Sequence, residues 1–214
     1  MTAKLPEKKF VASFDVDAQN TFTPVCPNEL AIDEGHLIVD ELNKQANFAS
    51  IRIASRDAHS PNALWIATEE KPPLTPIHNE PNLDIHWPSH AIIGTKGFDF
   101  IDGLDPNNYD FQVYKGIEPN MHPYGACYHD LHNKLSTGAI EYLRQNNIST
   151  IIVGGLATDY CVKNTVLQLL NAGFDVFLNL AACRGVAADT TETAIAEMQA
   201  HGAKIVADSS EFSQ

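Results

Sequence analysis

No stretch of this 214-residue chain approaches the ~18 consecutive apolar residues that a membrane-spanning helix needs, although 44% of its residues are hydrophobic. Nor does an apolar signal core follow the charged start at Met1 to Lys9, so the expected location is the cytoplasm. Basic residues are scarce: 14 Lys and Arg stand against 27 Asp and Glu, a formal net charge of -13. A field of that sign repels nucleic acid and anionic membrane surfaces, so neither is an expected partner. Cysteine is sparse as well. Cys26, Cys127, Cys161 and Cys183 show no CxxC or paired spacing, and in a reducing compartment they read as free thiols rather than a disulfide framework. Internal repeats and low-complexity segments are also missing. What remains is an ordinary core-forming composition at a length that suits one α/β domain over 1–214.

Short β-branched runs alternate with helical patterns, which predicts a mainly parallel sheet between two helical layers, a three-layer α/β/α, Rossmann-like architecture. Strands are expected at Phe10–Val16, Ile51–Ala54, Phe111–Tyr114, Thr150–Val153, Phe174–Leu178 and Lys204–Val206. The run at Thr150–Val153 has no polar alternation, as suits a strand buried on both faces. Helices are expected at Glu34–Phe48, Ser136–Asn146, Asp159–Asn171 and Thr190–Ala200, the last two stopped by Gly173 and Gly202. Between Arg56 and Tyr109 the pattern breaks down, and seven of the twelve prolines and four of the nine histidines lie there. An excursion of this length, leaving the carboxyl end of a strand in a parallel sheet, lies where ligands collect.

The segment Gly154-Gly155-Leu156-Ala157-Thr158-Asp159-Tyr160-Cys161 follows a buried strand and opens a helix. With Thr158 or Asp159 as N-cap, Cys161 falls in the first turn, where free N–H groups and the helix dipole lower a thiol pKa. The same N–H groups can hold an oxyanion. Equally, a free Cys can be a small apolar residue packed beside Val162 and Val166. Asp17 and Lys115 end the first and third strands. Each alone reads as a solvated loop residue, but together with Cys161 they place an acid, a cation and a thiol at three strand ends of one sheet edge.

Asp57 and His59 lie two residues apart in an extended segment, hence on one side of it, and His90 follows at the far end of the proline-rich excursion. One carboxylate and two imidazoles with open positions suit Zn²⁺, Mn²⁺ or Fe²⁺ in a catalytic site. A DxH pair is weak evidence, loop histidines are mostly solvated, and His78 and His86 are rival ligands in the same excursion.

Taken in order, these pieces resemble one family. Val16-Asp17-Ala18-Gln19-Asn20-Thr21-Phe22 is similar to the first motif of the isochorismatase-like cysteine hydrolases. Asp57-Ala58-His59, Trp87-Pro88-Ser89-His90 and Gly94-Thr95-Lys96-Gly97 resemble the metal and substrate-loop motifs of the nicotinamidases within that family. Tyr114-Lys115-Gly116 resembles the lysine motif, Gly155 to Val162 the nucleophile motif, and Ala181 to Val186 the segment after the fifth strand. The resemblance runs from about Phe10 to Val206. It implies a catalytic triad of Asp17, Lys115 and Cys161, a cis peptide at Leu156-Ala157, and an oxyanion hole from the Ala157 and Cys161 N–H groups. It also implies one divalent ion on Asp57, His59 and His90, zinc before iron or manganese, and a substrate pocket formed by Phe22, Trp87, Tyr124 and Leu156. The implied reaction is hydrolysis of nicotinamide to nicotinic acid and ammonia in NAD salvage, through a Cys thioester.

Several residues depart from the pattern. Ser60 to Trp65 offers no further His after the DxH, so three protein ligands plus water are expected. Ala91 stands where a Cys commonly follows the metal His, and Asp15, at a position that is usually apolar, adds a second carboxylate to the first strand with no partner evident in the sequence. Glu69–Leu83 is long and proline-rich, which bears on the pocket rim. The competing readings are a metal-independent amidase of the same superfamily acting on a carbamoyl or other small amide, an isochorismatase proper, and a catalytically silent binding protein. The first lacks a use for the metal set, the second for a nucleophilic Cys, and the third for an intact Asp/Lys/Cys group. The expected partner is a small-molecule amide, and a homo-oligomer stays open.

Overall fold

The computed structural model describes residues 3–214. Six strands, β2 (Val11–Val16), β3 (Ile51–Asp57), β4 (Phe111–Lys115), β5 (Thr150–Leu156), β6 (Asp175–Arg184) and β7 (Lys204–Val206), form one parallel sheet in the order β4-β3-β2-β5-β6-β7. The chain winds outward from β2 in one direction and from β5 in the other. The topological switch therefore falls between β2 and β5, where a crevice opens at the carboxyl ends of the strands. A separate two-stranded pair, β1 (Ala3–Lys4) with β8 (Phe212–Ser213), ties the described chain ends together. That pair is too short to leave a periodic trace in the sequence.

Helices α1 (Val39–Ala46), α2 (Ala139–Gln145), α3 (Lys163–Asn171) and α4 (Ala188–Ala200) flank the sheet. Strand side chains alternate between the two faces. Phe14 and Val16 of β2 join Ile140 and Leu143 of α2, Val166 and Leu169 of α3 and Met198 of α4 in one core. Ala54 of β3 joins Ile38 and Leu42 in a second core on the α1 side. Both layers expected from the pattern are present.

Most strand expectations fall inside the observed elements, but the sequence pattern ends several strands early. β3 runs on through Asp57 and β5 through Leu156, because the backbone keeps pairing with the neighbouring strands beyond the apolar run. β6 reaches Arg184 past a register shift opposite Val153/Gly155. The expected helix at 34–48 is a 3₁₀ turn, Gly35–Ile38, leading into the shorter α1.

Asp15 has its partners. Its carboxylate meets Arg52 Nη2 at 2.6 Å and Nε at 3.0 Å, and Tyr109 donates its hydroxyl at 2.9 Å. The charge is neutralised within β2, β3 and the end of the excursion, away from the crevice, as a fully buried carboxylate requires.

Candidate active site

The strand ends bring Asp17, Lys115 and Cys161 together. Asp17 leaves β2 with a φ of 45°, a left-handed backbone. Its carboxylate accepts the Ser55 hydroxyl at 2.6 Å and pairs with Lys115 Nζ at 2.9 Å. Lys115 is fully buried and also reaches the Pro123 carbonyl at 3.3 Å and Cys161 Sγ at 3.6 Å. Its partner in the β3–β4 register is Asp57, whose carboxylate accepts a further hydrogen bond from Nζ. One ammonium thus binds the acid beside the thiol and the carboxylate of the DxH pair. Gln19 holds the latter in place, its side chain exchanging hydrogen bonds with the Asp57 N–H at 2.7 Å and carbonyl at 2.9 Å.

Cys161 sits in a π-helical turn, Thr158–Val162, that joins β5 to α3, and the Leu156–Ala157 peptide before it is cis. Gly155, at φ 137°, lies so close to β2 that an added Cβ would come within 2.0 Å of the Val16 carbonyl oxygen. Neither Thr158 nor Asp159 caps this turn, contrary to the sequence reading. The N-cap is Ala157, and the Asp159 carboxylate instead accepts from the Val186 N–H at 3.0 Å and the Thr190 hydroxyl, tying the turn to the start of α4.

The thiol pKa differs from the sequence reading in the same way. Burial pushes the Cys161 thiol well above its usual range, and the pull of Lys115 does not offset it. Desolvation of a thiolate outweighs one short helical turn. Burial also raises the Asp17 carboxyl, against Lys115 and the Ser55 hydroxyl. Burial acts upward on Asp57 too, but Lys115 and the neighbouring imidazoles outweigh it and hold that carboxyl well below the usual range. Lys115 pulls both Asp17 and the thiol toward their charged forms against burial, and its two carboxylates preserve its own charge.

His59 and His90 converge on Asp57, their Nε2 atoms 3.6 Å and 3.8 Å from its carboxylate oxygens. Each ring has its Nδ1 at a backbone carbonyl, Gly116 at 3.0 Å for His59 and Pro88 at 2.7 Å for His90. With Nδ1–H donating, Nε2 carries the lone pair and faces inward, as in a metal-ligating imidazole. Burial lowers the His90 pKa to about 3, so that ring is neutral. Gly116, at φ 75°, leaves room for the His59 ring, since a Cβ there would lie 2.4 Å from it. The His59 Nε2 is buried with no partner. This donor set fits a divalent cation. His86 instead contacts the Trp65 carbonyl through Nδ1 at 3.1 Å, and His78 is solvent-exposed, so neither rival joins the cluster.

A cavity of about 220 Å³ opens over both groups, with Cys161 and Asp57 on its floor and Phe22, Trp87 and Tyr124 on its walls. Leu156 is not among its lining residues. Fully buried, it packs with Phe22, Ile38 and Leu42 on the α1 side, and the next residue, Ala157, reaches the cavity instead. Tyr124 donates to Asp84 at 2.8 Å and accepts from Trp87 Nε1 at 3.2 Å, so the proline-rich excursion closes one side of the rim.

Sequence reasoning missed three residues here. Tyr160 lines the cavity edge-on to Trp87, 5.1 Å between ring centroids. Trp65 packs against His59, His90 and a third imidazole, His122, at 4.6–4.9 Å. His122 carried no sequence signal, because it stands outside the excursion, seven residues beyond Lys115.

A thiol lining a small cavity, with an acid and a lysine behind it at the switch point of a parallel sheet, is the equipment of a cysteine-dependent α/β hydrolase. The isochorismatase domain model matches residues 12–210, and the chain belongs to that family. It is 34% identical over 197 residues to the nicotinamidase of Escherichia coli strain K12, covering 89% of this chain and 91% of that relative. Among solved structures, an Acinetobacter baumanii nicotinamidase/pyrazinamidase superposes with a TM-score of 0.85 at 29% identity, over 94% of this chain and 96% of that one. The pyrazinamidase of Pyrococcus horikoshii, solved in complex with zinc, gives 0.74 at 28% identity over 94% and 99%.

Proposed function

We propose that this chain is a metal-containing nicotinamidase that hydrolyses nicotinamide to nicotinic acid and ammonia. The observation that carries this reading is the single cavity that joins Cys161, with Asp17 and Lys115 behind it, to the Asp57/His59/His90 group across a space the size of one small ring. Relatives named as nicotinamidases support the substrate class.

In the mechanism, Asp17 accepts the Cys161 proton as sulfur attacks the carboxamide carbon. Lys115 favours the ionised form of Asp17 against its burial until that transfer. The Ala157 and Cys161 N–H groups face the developing oxyanion. Asp17 then returns its proton to the departing amine, which leaves as ammonia. It next draws a proton from the water that cleaves the thioester, releasing the acid and restoring the thiol. Phe22 and Trp87 hold the ring, and Tyr124 closes the rim. Asp57, His59 and His90 would hold one divalent ion, zinc before iron or manganese, which when bound orients and polarises the heteroaromatic ring. The chain works as one domain, with region 56–109 as the pocket's rim, in the cytoplasm, where its four free thiols remain reduced.

Two measurements test this reading. Ammonia release is expected to be fastest with nicotinamide, shared with pyrazinamide, and slow with a carbamoyl or aliphatic amide. A chelator should reduce it by at least ~10-fold, and added zinc should restore it. Chelator-insensitive turnover of a carbamoyl amide would favour the metal-independent amidase. The second measurement is the pH profile of kcat/KM in Ser55→Ala. The Ser55 hydroxyl stabilises ionised Asp17, so its loss raises that pKa further and moves the acid limb to higher pH. An unmoved limb would remove Asp17 as the base.

A further inference from the structure

The third imidazole has no role in the site as built so far. His122 is 4% exposed, and neither of its ring nitrogens has a hydrogen-bond partner. A buried imidazole with both nitrogens unsatisfied is costly to fold in, and such a group calls for a partner such as a water or an ion. The backbone holds it firmly. Its N–H donates to the Asn82 carbonyl at 3.1 Å, and the next residue, Pro123, offers its carbonyl to Lys115. The ring stacks on His59 with centroids 5.2 Å apart and meets Trp65 edge-on at 4.6 Å, so it cannot swing away from the cluster.

One ring nitrogen of each of His59, His90 and His122 lies within 4.8 Å of the others. Nitrogens on one tetrahedral zinc ion sit about 3.3 Å apart, since each Zn–N bond is about 2 Å. The three rings therefore need to close by up to about 1.5 Å to share an ion. We propose that His122 is a further protein ligand of the ion held by Asp57, His59 and His90, so that a carboxylate and three imidazoles bind it where three ligands plus water would otherwise do so. This rests on the metal reading above. It also accounts for the Ser60 to Trp65 segment, which carries no histidine. In that segment Trp65 fills the space behind the cluster, and the third imidazole arrives from the loop after β4 instead. A site with four protein donors holds its metal more tightly than one that relies on water, and it keeps a fifth position for the substrate by expanding its coordination.

The test is metal binding by the stripped and reloaded full chain, read without reference to turnover. Zinc affinity by chelator competition and the visible spectrum of the Co²⁺-loaded protein are compared for the unsubstituted chain, His122→Ala, His122→Asn and His59→Ala. The unsubstituted protein should bind one Co²⁺ with the intense band of a four- or five-coordinate site. Both His122 variants should bind zinc ~10–100-fold more weakly, and their Co²⁺ band should fade toward that of a water-rich, six-coordinate ion. The Asn variant keeps a polar side chain of similar length, so a folding failure confined to Ala leaves the comparison intact. Unchanged zinc affinity and an unchanged Co²⁺ spectrum in both His122 variants, with metal lost in His59→Ala, would overturn the assignment and leave His122 a pocket wall. Zinc retained at full affinity by His59→Ala as well would overturn it together with the metal reading beneath it.

Discussion

Cys161→Ala is expected to lower ammonia release from nicotinamide by ~10⁴-fold or more, leaving only what binding and oxyanion contacts provide. No other thiol can substitute. Burial pushes Cys127 and Cys183 up to about 12, and both pack in the core rather than in the cavity. The change removes one sulfur from a side chain already 6% exposed at the cavity floor, so the thermal midpoint should move little. Alkylation supplies the complementary measurement, with the label that inactivates found on Cys161. Cys26 is the more accessible thiol and should take up reagent without loss of activity. Turnover of the variant within ten-fold of the parent, or inactivation that follows Cys26, would remove Cys161 as the nucleophile.

Lys115→Met should be the most disruptive single change to the site. The lysine is fully buried and bonded to two carboxylates, a carbonyl and the thiol. Met fills the volume but leaves Asp17 and Asp57 facing each other without a cation. Breaking a buried ion group from one side costs about 3–5 kcal/mol. The urea midpoint at neutral pH reads this loss, and turnover should fall with it. The pH dependence has a definite sign. Without the ammonium, the folded-state pKa of at least one carboxyl rises, so the folded protein takes up a proton there as pH falls and the deficit narrows toward acid pH. Lys115→Arg would not rescue it, because a planar guanidinium cannot occupy a slot built for one compact ammonium. A variant with an unaltered midpoint and near-parent turnover would contradict the shared role of Lys115.

Much of this was legible along the chain. The alternation of apolar runs and helical periods carried the doubly wound architecture, because strands buried on both faces leave a continuous signature. Asp17, Lys115, Asp57 and His59 were recognisable as polar residues at strand ends, where a parallel sheet collects its chemistry. Leu156 and the caps were misread for one reason: a single residue's direction at a strand-to-helix turn depends on local backbone, which a motif does not encode. Alternation along β5 puts Leu156 with Gly154 on the α1 side, and past the cis peptide and π-helical turn it is Ala157 that reaches the pocket. The expected lowering of the Cys161 pKa failed because burial, invisible in sequence, exceeds the contribution of a short turn.

By itself the sequence determined the layers of the sheet, the excursion that shapes the pocket, and the chemical types at its strand ends, since periodicity and residue type are local properties. Only the tertiary structure decided how those residues are shared. Register across β3 and β4 sets Asp57 beside Lys115, so the catalytic and metal-type groups meet at one carboxylate. Packing brings Trp65 and His122 against His59 from segments with no common pattern. Such long-range contacts depend on how distant segments fold against one another, and no spacing along the chain records that.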